Sequence, residues 1–144
     1  MPPPVIYAAG FLAGVALEVA FPVGGLPLAL AVPLGILGFI AWLALDGAAM
    51  LRFRSARTSP NPTRPTTALV TSGPYRFTRN PMYLGMAALY AGLALALGAI
   101  WSLALLPAVI AVVDRKVIPG EERRLEAKFG GQYAAYRERV NRWL

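Results

Sequence analysis

Three short clusters hold most of the polar chemistry of this chain. The first runs Thr71-Ser72-Gly73-Pro74-Tyr75-Arg76-Phe77-Thr78-Arg79-Asn80-Pro81-Met82-Tyr83. Gly73-Pro74 supplies a turn, and Asn80-Pro81 suits an N-cap followed by the first residue of a helix. Free backbone N–H groups and a positive dipole end would then stand beside Arg79, a place ready for an anion. The plainer alternative is that this segment merely starts a membrane helix, with Arg76 and Arg79 on lipid headgroups.

The second cluster is Pro119-Gly120-Glu121-Glu122-Arg123-Arg124, two adjacent carboxylates after an expected helix break. Ionised carboxylates accept strong hydrogen bonds, so the pair suits a cation or sugar hydroxyls. Helix capping and a Glu121 to Arg124 pair explain it equally. The third cluster, Tyr133, Tyr136, Arg137, Arg139 and Arg142, places aromatics and guanidiniums on one segment, with an interfacial anchor as the plainer reading. Glu18, Asp46 and Asp114 raise the question of ion transport, but each falls near the end of an apolar span, where water or an arginine can reach it. Histidine and cysteine are absent, which excludes imidazole acid/base chemistry, thiolate nucleophiles and disulfides within the chain.

The elements that must position these clusters are apolar. Of 144 residues, 57% are hydrophobic and 15% charged, far too apolar for a water-soluble domain of this size. Residues 5–21 and 28–51 form two expected spans separated by Pro22, Gly24, Gly25 and Pro27. The N-terminal stretch has no basic n-region and reads as a retained helix. Residues 52–80 form a polar loop with six arginines (Arg52, Arg54, Arg57, Arg64, Arg76, Arg79) and prolines at 60, 62, 65 and 74. Residues 81–118 as one helix would run about 55 Å, well beyond a hydrocarbon core of about 30 Å, so the chain must fold back near Gly98 into spans 81–97 and 99–118. Each arm is slightly short, which calls for tilting, local thinning or snorkelling of Arg115 and Lys116.

In the tail, residues 119–144, Leu125, Phe129, Tyr133, Tyr136, Val140 and Trp143 recur every three or four positions, and Gly130-Gly131 divides it into two helices. The fold expected is thus a single all-α integral membrane domain over residues 1–144, with about four transmembrane helices in two hairpins and a C-terminal amphipathic helical segment. The 14 basic residues lie in the second loop (six) or from Arg115 onward, at the end of the last span and after it (eight). The positive-inside rule therefore makes that side, with both termini, cytoplasmic. A net charge of +7 distributed so one-sidedly points to membrane lipids as partners rather than nucleic acid. Gly10-x-x-x-Gly14 reads as helix packing, and the small residues of the first two helices would also permit a homodimer.

TALVTSGPYRFTRNPMYLG followed, after an apolar hairpin, by GEERRLEAKFGGQYAAYRERV resembles the isoprenylcysteine carboxyl methyltransferase and phospholipid methyltransferase superfamily of integral membrane methyltransferases. The likeness covers roughly the C-terminal half. It implies S-adenosylmethionine as cofactor, a hydrophobic small-molecule or lipid-linked acceptor, and a cytosolic pocket without a Rossmann domain; a bacterial inner membrane is the expected location. The run Arg79-Asn80-Pro81-Met82-Tyr83 corresponds to the family's Arg-His-Pro-x-Tyr cofactor motif, Glu121-Glu122 to its paired glutamates, and Arg139 to an arginine after a tyrosine. On that basis Tyr75, Arg79, Asn80, Pro81, Tyr83, Glu121, Glu122, Tyr133 and Tyr136 are expected to hold cofactor, and Arg79, Glu122 and Arg139 to act in the chemistry. Asn80 departs from the typical histidine and cannot take up a proton. In-line displacement at a sulfonium depends heavily on alignment and desolvation, so that loss is tolerable. A carboxylate acceptor is already nucleophilic, whereas an amine or thiol must first lose a proton, with Glu122 the expected base. The rival readings are a membrane scaffold or lipid-binding module, and a nicotinamide-dependent reductase, against which the short chain and the Glu-Glu pair argue.

Overall fold

The computed structural model describes residues 2–59 and 66–144. The prolines at 60, 62 and 65 and Arg64 of the second loop lie outside the described residues. Helices account for the architecture, and no strand occurs among the described residues. Helix α1 spans Pro3–Ala20 and α2 spans Leu28–Ser55, each opened by proline at or just before its first turn, where a missing N–H costs nothing. A 3-10 turn, Gly73–Arg76, precedes α3, Pro81–Ala96. Gly98, at φ +66°, reverses the chain into α4, Ile100–Val112. The fold-back expected near Gly98 is therefore where the chain turns, because a positive φ is cheap only for glycine.

The expected break at Pro119 is not there. After α4 the chain passes through a π-turn, Val113–Val117, straight into α5, Ile118–Phe129. Proline lacks the N–H that an α-helix would direct back four residues, and a wider turn just before it absorbs that gap without ending the rod. The paired glutamates thus ride on a continuation of the fourth apolar helix. Helix α6, Gly131–Arg139, follows Gly130, whose φ is +49°, so the expected division of the tail at the two glycines holds.

Helices α1 and α2 are each long and apolar enough to cross a membrane; α3, at 16 residues, and α4, at 13, are shorter. The packing is nested, α1 lying mainly on α4 and α2 on α3. Small residues set both approaches. A methyl group on Gly10 would collide with Val109 and one on Gly14 with the Ser102 backbone, while a Cβ on Gly38 would stand 2.6 Å from the Ala88 carbonyl oxygen and 2.7 Å from Gly92 Cα. These glycines are used inside the protomer. The opposite face of α2 is bare and apolar, with Leu30, Leu37 and Leu51 all more than half exposed, a surface suited to lipid.

Several polar groups between the helices are paired, as the lack of competing water favours, while Asp46 Oδ2, packed against Gly85, is buried without a hydrogen-bond partner among the described residues. The Tyr7 hydroxyl donates to the Tyr83 carbonyl (3.1 Å), Tyr90 to the Ser102 carbonyl (2.8 Å) and Ser102 to the Phe11 carbonyl (2.9 Å). At the end of the molecule away from the clusters, Glu18 accepts from the Val23 N–H (2.9 Å) and the Trp101 N–H (3.3 Å), and the Trp101 indole donates to the Phe21 carbonyl (2.8 Å). Glu18 therefore ties the two hairpin turns together, a structural role for one of the three border carboxylates.

Candidate functional site

Helix α3 begins on the same side of the molecule as the end of α2 and the start of α5, and the site is built where these meet. Asn80 occupies the N-cap position and Pro81, buried, the first turn. The Asn80 side chain does not cap the helix, however. Its Nδ2 donates to the Arg142 carbonyl (2.9 Å), while the Thr78 hydroxyl accepts from the Asn80 N–H (3.1 Å) and donates to that same carbonyl (3.1 Å). The Arg79 N–H donates to the Asn141 carbonyl (2.9 Å). Residues 140–143, which leave α6 in extended backbone at Val140, thus form a strap across the start of α3.

The strap carries an arginine into a charge network. Arg142 grips Glu122 with both ends of its guanidinium, Nε to Oε1 at 3.2 Å and Nη2 to Oε2 at 2.6 Å, and sends Nη1 to Asp114 at 3.2 Å. The Trp143 indole also donates to Asp114 (2.9 Å). Arg79 approaches Glu122 from the other side, Nη1 to Oε1 at 2.8 Å, and donates to the Tyr133 hydroxyl at 3.3 Å. Two guanidiniums therefore occupy both oxygens of Glu122. Donating to Glu122 and Asp114 raises the Arg142 pKa further.

Glu122, the expected base, thus has both carboxylate oxygens engaged by guanidinium donors. Glu121 is different. It accepts from the Tyr83 hydroxyl at 2.6 Å. Burial pushes its carboxyl above the ordinary value; the Tyr83 bond and Arg124 counter this in part, and neighbouring Glu122 adds to it. Two adjacent glutamates thus meet different surroundings, Glu122 clamped by two arginines and Glu121 bonded to Tyr83 with its carboxyl raised by burial.

Both glutamates face a cavity of about 350 Å³. Its polar side holds Arg79, Asn80, Glu121, Glu122 and Arg124, its apolar side Phe53, Leu69, Val70, Met82 and Met86. Tyr75, Tyr83, Tyr133 and Tyr136 line it as well. Tyr136 fixes the loop by donating to the Tyr75 carbonyl (2.7 Å), and Phe53 meets Tyr75 edge-on at 5.7 Å. Burial raises the pKa of Tyr75, Tyr133 and Tyr136, so all three stay neutral hydroxyls at physiological pH. The tail's periodic stripe is therefore spent inside the molecule. Tyr133, Tyr136 and Val140 form a core cluster with Leu69, Tyr75, Leu125 and Phe129, which corrects the reading of this stripe as a membrane anchor.

Of the expected site residues, the cavity brings together Tyr75, Arg79, Asn80, Tyr83, Glu121, Glu122, Tyr133 and Tyr136. Pro81 lies behind the wall and serves the helix start. Arg139 is not brought to the site: it is exposed and its Nε turns back to the Ala135 carbonyl (3.2 Å) on its own helix. Arg142, one turn further on, stands where Arg139 was expected. Periodicity had Arg142 on a helix face with the other basic residues, and no spacing signals that the chain leaves the helix at Val140. The apolar lining was equally hidden: Met86 stands in generic apolar sequence, and Phe53 in the stretch expected to be a polar loop, into which α2 extends as far as Ser55.

One wall atom has no partner. Arg79 Nε is buried and makes no hydrogen bond among the described residues, and an orphaned guanidinium donor on a cavity wall suits an anionic group such as a carboxylate. With Glu121 available to an amine or ribose hydroxyls and tyrosine faces available to a sulfonium, the residues present fit S-adenosylmethionine.

No curated protein and no solved structure matches the chain. The family model for phospholipid methyltransferases matches residues 28–132, more than half of the chain, from the start of α2 into α6 and across Arg79, Glu121 and Glu122. Tyr133, Tyr136 and Arg142, which complete the wall and the clamp, lie just beyond the matched range. The chain belongs to the phospholipid methyltransferase family, a family of membrane methyltransferases that act on lipids.

Proposed function

We propose that this protein transfers a methyl group from S-adenosylmethionine to a hydrophobic or lipid-linked acceptor at the cytoplasmic face of a membrane that all four of its apolar helices cross. A cavity of about 350 Å³ lined by both Arg79 and Glu121, together with the buried and unpartnered Arg79 Nε, carries this reading. Bound cofactor supplies an electrophilic methyl group on a sulfonium. The protein's part is to hold and align. Arg79 takes the cofactor carboxylate while Arg142 and Glu122 keep the Arg79 side chain in place. Tyr83 holds Glu121 at 2.6 Å, and Glu121 receives the proton that an amine or thiol acceptor gives up, whereas a carboxylate acceptor has none to lose. The apolar wall of Phe53, Met82 and Met86 excludes water, which keeps these charges strong and the acceptor desolvated.

The short α4 is lengthened by its continuation through the π-turn, and the one-sided arginines support a cytoplasmic position for the cavity. Calorimetry of purified protein with S-adenosylmethionine tests the cofactor. Native membranes given labelled cofactor then identify the labelled product. Heat on binding and a labelled lipid-soluble product are expected; no heat, together with an unchanged product yield in Glu121→Ala, would sink the reading.

A further inference from the structure

Glu18 and Asp114 meet N–H donors, but the third border carboxylate is less well served. Asp46 Oδ2 is buried between α2 and α3 without a hydrogen-bond partner among the described residues, and Gly85 makes the room for it, since a Cβ there would collide with the carboxylate. The Trp42 indole, one turn earlier on α2, is a neutral hydrogen-bonding neighbour of the group. No lysine or arginine pairs with Asp46 among the described residues. Arg52, the first cation beyond it on α2, stands about 9 Å further along the helix and packs over Gly73. A carboxylate left without a cation at membrane depth is costly, and such a group marks a place where function requires it.

That place adjoins the cavity. Along α3, Met82 and Met86 line the cavity and Gly85 lies between them; along α2, Phe53 lines it and Asp46 lies two turns deeper on the same face. Tyr75, on the cavity wall, links Asp46 to the site: burial first, then the charges of Tyr136, Asp46 and Glu121, hold the proton on its hydroxyl. Asp46 is therefore felt inside the cavity although it does not line it. The wall is electrically divided. Arg79 brings an unpartnered guanidinium nitrogen to one part of it, whereas the full charges felt at Tyr75 are those of two carboxylates. S-adenosylmethionine has the complementary pattern, a carboxylate and, a few bonds away, a sulfonium cation.

We propose that Asp46 is the counter-charge for the cofactor's sulfonium, acting across Tyr75 so that the site prefers the charged methyl donor to its neutral thioether product. The inference rests on the methyltransferase reading. Methyl transfer breaks the bond between sulfur and the methyl carbon and returns the electron pair to sulfur, which becomes uncharged. The attraction to Asp46 ends with that charge, and spent cofactor gives way to fresh. Asp46 touches neither cofactor nor acceptor and is a positioning residue.

The test is calorimetry of the purified protein in detergent with three ligands. S-adenosylmethionine and sinefungin carry a positive charge at or beside the sulfur position, and S-adenosylhomocysteine carries none there. Asp46→Asn is expected to weaken the two charged ligands about tenfold, the scale of one charge pair several ångströms apart at intermediate dielectric, and to leave S-adenosylhomocysteine within about twofold. A merely structural role would move all three alike. Asp46→Ala, smaller and also uncharged, is expected to repeat the pattern and decides alone if the asparagine variant does not fold. Equal weakening of charged and neutral ligands, or no weakening of any, overturns the counter-charge and leaves the methyltransferase reading standing. Failure of all three ligands to bind the unmodified protein removes that reading and the counter-charge with it.

Discussion

Replacing Arg142 by alanine removes three N–H donors from the site, two on Glu122 and one on Asp114, while every residue that lines the cavity keeps its own side chain. The Arg142 side chain is 33% exposed and Glu122 14%. A fully buried pair stripped of one partner costs about 3–5 kcal/mol and an exposed one about 0–1 kcal/mol. Arg79 still holds one Glu122 oxygen in the variant, at 2.8 Å, so the lower middle of that interval applies, about 2 kcal/mol, or roughly thirty-fold in an equilibrium constant. Arg79 is then free to swing toward whichever Glu122 oxygen is released. The loss is therefore expected in affinity for S-adenosylmethionine, measured by calorimetry, more than in thermal stability. Arg142→Lys, which keeps the charge and loses the fork, is expected to recover only part of it. The decisive measurement is the double-mutant cycle with Glu122→Gln. Because both substitutions break the same contact, their losses are expected to fall short of additivity by about 2 kcal/mol; strict additivity would show that the clamp does not position the site.

Other substitutions follow from the same geometry. Glu121→Gln is expected to abolish turnover of an amine acceptor while leaving cofactor affinity within about threefold. Because the Glu121 carboxyl is raised above 4.5, the acid limb of the kcat/KM profile is expected above the ordinary carboxylate range. The Tyr83 bond opposes that rise, so Tyr83→Phe moves the limb to still higher pH; a limb that stays put or moves down would contradict the assignment. The sign for stability is the reverse of a salt-bridged carboxylate: the raised pKa favours the folded state at low pH, and that contribution is lost as pH climbs from 4.5 through the folded value. Urea midpoints of wild type and Glu121→Gln across that range check it. Gly38→Ala places a methyl 2.6 Å from the Ala88 carbonyl oxygen and is expected to destabilise the α2–α3 pair by about 1–3 kcal/mol, read from thermal unfolding in detergent. Tyr136→Phe is expected to cost about 1–3 kcal/mol by leaving the Tyr75 carbonyl without its hydroxyl donor, whereas Arg139→Ala is expected to leave cofactor affinity unchanged.

Legibility in the sequence followed the range of the interaction. Turns written in glycine and proline were readable, because Gly98 and Gly130 act on their own backbone. Arg79 and the two glutamates were readable as motifs. What could not be read was the difference between Glu121 and Glu122, since adjacent residues of one type are separated only by what faces them: Tyr83 38 residues away for one, Arg142 20 residues away for the other. Pro119 misled because a proline ends a helix only if the turn before it cannot widen. The tyrosine stripe showed a buried face correctly in period, but periodicity does not say whether lipid or protein covers it. Asp114, expected to be a border charge open to water or arginine, found an arginine, and it came from the strap.

The nested pairing of the helices has a consequence for how the molecule is made. Helix α1 emerges from synthesis before the helix it packs against, α4, exists, while α2 needs wait only for α3. Until then α1 must stand alone among acyl chains, with Glu18 lacking the Trp101 N–H that later receives it. The inner pair closes first and the outer pair locks around it. A defect in α4 is then expected to strand an already inserted α1, giving membrane quality-control proteases an exposed, unpaired helix to recognise.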